Sequence, residues 1–204
     1  MKKEINKNTD IIIPEEFFLL KKKYQKMGLN PRGFVKFFDE KAQFEQKQSW
    51  IDILELNRIP KCRLFDIGSG AGFFPFLVKQ IGHTVKISDV PSSVAASLIA
   101  YEECIEALGM KKDFSFAVEK QKKLPNIGKY DIISATGVAF HENWEPSDWE
   151  FFIKDCFSHL RKNGTLFLHV NNTGKGKEGY DSLKSLKVKS GFWYDEHILI
   201  IRNV

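Results

Sequence analysis

Apolar residues recur along this chain at two different periods, and the change from one to the other divides it. Over residues 14–27 Phe17, Phe18, Leu20 and Tyr24 fall at helical spacing, with Lys21, Lys22 and Lys23 on the polar side. The segment 28–33, GLNPRG, breaks that pattern. A second helical stretch covers 34–56 and carries Phe37, Phe38, Phe44, Trp50, Ile53 and Leu54. From residue 63 short apolar runs take over. Arg63-Leu64-Phe65-Asp66-Ile67 ends at a glycine, as a buried parallel strand does. Residues 73–80 resume a helical pattern, with Pro75 in the first turn, where its missing N–H is not needed. Residues 83–88 predict a second strand with Asp89 at its end.

The alternation continues to the end of the chain. A turn at Pro91-Ser92-Ser93 caps a helix over 94–108, which Gly109 stops. Strands are predicted over 114–118 and 130–135, and a helix over 146–160 has Ser147 as its N-cap and Glu150 as capping partner. A fifth strand over 166–170 precedes NNTGKGKEG, read as a loop, and strands over 183–188 and 193–201 close the chain. Strands alternating with helices predict an α/β fold, a doubly wound and mostly parallel sheet with helices on both faces. The helical first 60 residues predict an N-terminal cap. The expectation is one domain, with cap 1–60 and Rossmann-like core 61–204; residues 1–10 are expected to fray.

Gly68-Ser69-Gly70-Ala71-Gly72 joins the first strand to its helix, and glycine lets a backbone turn tightly and approach a ligand closely. A glycine loop at a helix N-terminus, followed by an acid after the next strand, is a nucleoside-binding device. The dinucleotide fingerprint G-x-G-x-x-G does not fit, because from Gly68 its third glycine falls on Phe73. The pattern is D-x-G-x-G-x-G, led by Asp66, and a carboxylate beside the loop suits an ammonium better than a phosphate. Asp66, Gly68, Gly70, Gly72 and Asp89 together resemble the class I S-adenosylmethionine-dependent methyltransferases. The resemblance implies a sheet of about seven strands with the last antiparallel, and S-adenosyl-L-methionine as cofactor. It further implies that Asp66, Gly68, Ser69, Gly70 and Gly72 hold the methionine part, and that Asp89 and Val90 hold the ribose. Glu119 stands where relatives contact the adenine amino group, and Thr136 where the fourth strand opens onto the site. Asp131, opening the fourth strand, and the LRKNGT turn before the fifth match further landmarks.

The same resemblance routes the chain leaving the fourth strand past the acceptor. Residues 136–149, TGVAFHENWEPSDW, hold neither an Asn-Pro-Pro-Tyr-like tetrapeptide nor a Pro-Cys pair, so adenine or glutamine N-methylation and cytosine-C5 methylation are disfavoured. His141 is then the candidate general base, since a neutral imidazole removes a hydroxyl proton near pH 7; the alternative is that it packs in the loop. His169, near the C-terminal end of the fifth strand on the side where open α/β sheets bind ligands, reads as a core histidine, with a second catalytic group as the alternative. Phe34, Phe37, Phe38 and Trp50 are candidates for a lid.

Composition narrows this only a little. The 204 residues carry 43% hydrophobic residues and a net charge of +5, but the lysines are scattered, as on a solvated surface. The expected acceptor is therefore a small molecule, a hydroxyl of a saccharide or other metabolite, and nucleic acid is disfavoured. RNA or protein methylation through the lysines near 120 and 175 is one alternative, and a non-catalytic cofactor-binding partner subunit is another. Cys62, Cys104 and Cys156 are odd in number and lack metal-ligand spacing. With no membrane-length apolar run, they point to the cytoplasm, and methyl transfer of this kind calls for no metal.

Overall fold

A computed structural model of the chain describes residues 11–27, 40–91, 96–138 and 140–204. Its centre is set by burial. β1 (Arg63–Ile67) is buried from its second residue onward, and lies between β2 (Thr84–Asp89) and β4 (Tyr130–Val138). A strand with neighbours on both sides and helices on both faces must be apolar throughout, which is why RLFDI shows no alternation. The sheet runs β3-β2-β1-β4-β5-β7-β6, where β3 is Phe114–Ser115, β5 Leu160–Val170, β6 Gly191–Trp193 and β7 Ile198–Arg202. β1 to β5 pair parallel, and β7 is antiparallel to both β5 and β6. The doubly wound, seven-stranded sheet expected from the sequence is the one observed.

Helices cover both faces. On one lie α1 (Glu15–Lys26), α2 (Glu40–Ile53), α3 (Phe73–Gln80) and α4 (Ala96–Ala107); on the other lie α5 (Pro146–His159) and α6 (Lys177–Ser185). β5 and β7 alternate between the two cores. Phe167, Ile198 and Ile200 face the α2–α3 side, whereas Leu166, Leu168, Leu199 and Ile201 face Trp149, Phe152 and Leu183. α3 is buried all round from Phe73 to Val78, and Phe73 meets Phe17 and Phe44 edge-on at ring-centroid distances of 5.5 and 5.3 Å. Trp50 meets Phe74 the same way at 5.5 Å.

At the end of the sheet where β1 and β4 begin, Asp131 is a structural tie. Its Oδ2 accepts the Arg63 N–H at 2.7 Å and its Oδ1 meets Arg161 Nη1 at 3.1 Å. His83 joins two segments: Cys62 N–H donates to its Nδ1 at 3.1 Å, which leaves Nε2 as the donor to Leu56 O at 2.9 Å. The three cysteines are buried free thiols. Among the described residues no helix is long and apolar enough to cross a membrane.

Several expected boundaries move. The 171–179 loop instead forms a 3₁₀ turn, Gly174–Gly176, leading into α6, so no strand occupies 183–188. Leu183 is fully buried on that helix, and Trp149 Nε1 donates to Gly179 O at 2.7 Å. α5 begins at Pro146, not after Ser147, because the Glu145 N–H finds Asp148 Oδ2 at 2.9 Å. β3 is two residues long, β5 starts six residues early at Leu160, and the final strand divides into β6 and β7 around a turn at 194–197. The expected fraying of 1–10, the lid candidates Phe34, Phe37 and Phe38, and the Ser92-Ser93 cap lie outside the described residues.

Candidate functional site

The strand order reverses between β1 and β4, so the connections leaving their carboxyl ends run to opposite sides and leave a crevice. A cleft of about 800 Å³ occupies it. One wall is the glycine loop with Asp89, Val90 and Tyr101, and Phe116, Ala117 and Val118 close its apolar end. Thr136, Gly137 and Val138 at the end of β4 and Phe140 beyond it line another side, and Trp50 and His169 face each other at the far end.

The loop adopts a conformation that requires its glycines. Gly68, Gly70 and Gly72 have φ of +68°, +54° and +79°, the left-handed region that side chains disfavour. Packing adds a second requirement at Gly68, where a Cβ would lie 2.7 Å from Val138 Cγ1. A Cβ at Gly70 would meet nothing within 4 Å among the described residues. That opening leaves the backbone bare toward the cleft.

Two carboxylates flank the loop in different surroundings. Asp89 is partly buried at the end of β2, and its oxygens accept the Gly70 N–H and its neighbour's, Val90 N–H, each at 2.8 Å. Burial raises its pKa, opposed by those two N–H groups and by Lys112. Asp66 lies beneath the loop and is 1% exposed. Its Oδ1 accepts the Ser134 hydroxyl at 2.6 Å, across the register pair Asp66–Ser134 of β1 and β4. Its Oδ2 is buried with no hydrogen-bond partner among the described residues. Burial pushes this carboxyl up to about 7, against the Ser134 hydrogen bond and the charge of Lys47, while the Ser69 hydroxyl donates to the Asp66 backbone carbonyl at 3.1 Å.

The site residues expected from sequence divide into two groups. Gly68, Ser69, Gly70, Gly72, Asp89, Val90 and Thr136 line the cleft, and Asp66 underlies it. Glu119 and His141 are not among the lining residues. Glu119 is exposed and ion-paired with Lys122 at 2.6 Å. His141 is fully buried: its Nε2 meets Asn171 O at 3.1 Å, and its ring packs against Trp149 with centroids 5.7 Å apart. Burial lowers its pKa. His141 thus packs in the loop and does not line the cleft, the placement that the alternative to a general base describes. Trp50 is a fixed wall, 2% exposed, rather than a lid. Tyr101, Phe116 and Val118 escape sequence reasoning, because nothing marks a lone apolar or aromatic side chain as cleft-facing. His169 joins the cleft from the ligand-binding end of β5, as its strand position allows, and Lys47 and Asn171 join it without a sequence motif to announce them.

No family model matches this sequence, and no curated protein matches it at the level of sequence. Solved structures do match. The chain is similar to an S-adenosylmethionine-dependent methyltransferase from Aquifex aeolicus, with 18% identity, 85% of this chain and 97% of that one covered, and a TM-score of 0.51. It is similar to magnesium protoporphyrin IX methyltransferase from Synechocystis with S-adenosylhomocysteine bound, with 15% identity, 93% and 100% covered, and a TM-score of 0.50. A third is an amino pentose methyltransferase from Micromonospora echinaspora, at 14% identity and a TM-score of 0.48; 74% of this chain matches it, spanning 55% of that enzyme's length. What the chain shares with the first two is the fold of the class I S-adenosylmethionine-dependent methyltransferases.

Proposed function

We propose that this chain is an S-adenosylmethionine-dependent methyltransferase acting on a small molecule. The observation that carries the reading is the unpartnered, buried Oδ2 of Asp66 under a glycine loop whose Gly70 face is open. A buried carboxylate oxygen without a donor is costly, and the ammonium of a methionine moiety would satisfy it. The remaining residues fit the same group. The bare backbone at Gly70 admits the methionine chain, Asp89 has lone pairs left for ribose hydroxyls, and Phe116 and Val118 offer an apolar wall for a base. The neighbours in Aquifex and Synechocystis, both described as methyltransferases, support the reading through their shared fold.

When bound, S-adenosylmethionine supplies a methyl group already activated on a sulfonium. The chain's own contribution is then placement. The β1 and β4 carboxyl ends fix the loop, Asp89 fixes the rim, and Trp50 and Phe140 exclude water from the far end. Alignment of this kind is worth on the order of 7–11 kcal/mol of a barrier, against about 10²–10⁴-fold for a general base, so the loss of His141 as a base removes the smaller part. A cleft of about 800 Å³ accommodates a cofactor and a small acceptor. The acceptor in this reading is a hydroxylated metabolite. RNA is the weaker reading because the basic segment is engaged internally: Lys120 bonds Asn143 O and pairs with Asp148 at 3.5 Å, and Lys122 pairs with Glu119.

Calorimetry tests the proposal directly. Saturable binding of S-adenosylmethionine and S-adenosylhomocysteine, lost in Gly70→Val, is the expected result. Binding of NADH in their place would overturn it, and so would binding of none of the three.

A further inference from the structure

A cofactor held by Asp66 and Asp89 lies over β1 and β2, and the cleft continues in the opposite direction, over β4 and β5. His169 stands there, paired with Thr136 across β4 and β5 and two strands away from β1. At about 4.8 Å per strand it is roughly 10 Å from the strand that carries the glycine loop. The wall around it is largely apolar: Trp50 from α2, Val138 at the end of β4 and Phe140 beyond it, with Asn171 as a neighbouring amide. Asp89 is the one carboxylate among the described lining residues, and it stands at the other end. The charge of Lys47 acts on Asp66 as well as on His169, so it belongs to neither half alone.

The His169 ring is held in place. Its backbone is paired with Thr136 on one side and Ile198 on the other. The ring packs against Trp50 with centroids 5.0 Å apart and planes 43° from parallel, and meets His197 at 5.9 Å. Nδ1 is buried and, among the described residues, without a hydrogen-bond partner. That leaves Nε2 as the nitrogen available to the cleft that His169 lines. The charged and titratable groups facing the imidazole are Lys47 on α2, and His197 and Asp195 in the turn before β7. Burial, then Lys47 and His197, hold its pKa down at about 4, opposed by Asp195. Near pH 7 the ring is therefore neutral, and with the proton on Nδ1 its Nε2 is an acceptor.

We propose that His169 is a catalytic residue of the methyl transfer, its Nε2 taking the proton of an acceptor hydroxyl carried on an otherwise apolar, uncharged body. The proposal rests on the methyltransferase reading and adds to it the base and the class of acceptor. A lone pair of the hydroxyl oxygen forms the new oxygen–carbon bond as the methyl leaves sulfur, which keeps the bonding pair. The hydroxyl proton passes to Nε2, so the positive charge that began on sulfur ends on the imidazolium, which yields the proton to solvent. A hydroxyl becomes strongly acidic as it gains the methyl, so a weakly basic imidazole suffices to receive its proton. The apolar wall selects the rest of the molecule. Further hydroxyls, as on a saccharide, would face Trp50, Val138 and Phe140 unpaired, which is costly.

The test uses the full chain saturated with S-adenosylhomocysteine, with the side-chain nitrogen signals of His169 followed by NMR near pH 7. Phenol, a small acceptor of this class, and anisole, the same ring without a donor, are the two probes. Phenol should shift the Nε2 signal to the position of a hydrogen-bonded acceptor nitrogen, and anisole should leave it in place. A second measurement supplies S-adenosylmethionine and follows the conversion of phenol to anisole. His169→Phe keeps a ring against Trp50 and removes both nitrogens. It should lower kcat by about 10²–10⁴-fold, with wild-type affinity for S-adenosylhomocysteine. The first measurement needs only the wild type, and stands even where that variant does not fold. An Nε2 signal unmoved by phenol, or moved equally by anisole, would overturn the proposal. So would a wild-type chain that forms no anisole, or a His169→Phe chain that forms it at the wild-type rate. Failure of the wild-type chain to bind S-adenosylhomocysteine at all is seen separately by calorimetry and defeats the underlying reading.

Discussion

Asp66→Asn isolates the most costly group in the cleft. The carboxyl is 1% exposed and its pKa is pushed from 3.8 to about 7. At 1.36 kcal/mol per unit, a shift of that size is worth about 4 kcal/mol of linkage between protonation and folding. The sign follows from which state holds the proton. Between pH 4 and 7 the unfolded chain has released it and the folded chain has not. Stability is therefore fully present below the unfolded pKa and is lost as pH rises through the folded one. Asparagine keeps an oxygen for the Ser134 hydroxyl but places an unpartnered N–H₂ where Oδ2 was, at about 1–3 kcal/mol. Relative to Asp66→Asn the wild type should thus lose about 3 kcal/mol between pH 5 and pH 8, the part of the linkage that lies above pH 5. Urea unfolding of the ligand-free chain at the two pH values measures this. An ammonium bound near Oδ2 favours the ionised carboxyl, so S-adenosylhomocysteine binding at pH 6 should release close to one proton from the wild type and none from this position in Asp66→Asn. Calorimetry in two buffers of different ionisation enthalpy counts it. Parallel stability curves together with equal proton counts would refute the reasoning.

Three further outcomes are expected. Gly68→Ala and Gly70→Ala both place a side chain at positive φ, worth about 1–2 kcal/mol each, but only Gly68→Ala also meets Val138, adding about 1–3 kcal/mol. Thermal unfolding should rank Gly68→Ala the less stable, while calorimetry should show Gly70→Ala folded yet weakened toward S-adenosylhomocysteine. Leu183→Ala empties a fully buried position beneath α6, and should cost about 2–5 kcal/mol by denaturant titration. His141, whose pKa burial lowers, should make the wild type less stable as pH falls below about 6.5, where the unfolded imidazole takes a proton that the folded one refuses. His141→Gln should flatten that slope and leave the pH profile of methyl transfer unchanged; a shifted profile would return the histidine to catalysis.

The stretch from β1 to β2 is legible in the sequence because each position there answers to a single demand. Burial on both faces dictates an apolar β1, and the left-handed turns at Gly68, Gly70 and Gly72 admit little but glycine. α6 is illegible for the opposite reason. Gly176 and Gly179 read as breakers, yet they are glycines because the helix packs against the His141 segment so closely that a Cβ at 179 would lie 1.9 Å from His141 O. In a sequence, a glycine retained for close approach cannot be distinguished from one that ends a helix. The capping of α5 misleads similarly, since Glu145 and Asp148 satisfy the same spacing as Ser147 and Glu150.

The two histidines show where strand periodicity could have decided the matter. His141 follows β4 through a turn, and nothing local says which way its ring points. His169 lies within β5, where side chains alternate, so it shares a face with Phe167. Phe167 packs on Trp50 at a centroid distance of 6.1 Å and on Phe74 at 6.3 Å, the side from which α2 and α3 approach. Two residues on, the same face reaches the carboxyl end of the strand, which is the end where a doubly wound sheet opens. There the ring lies against Trp50 of α2 and reaches the cleft wall, and that places His169, rather than the more conspicuous His141, among the lining residues.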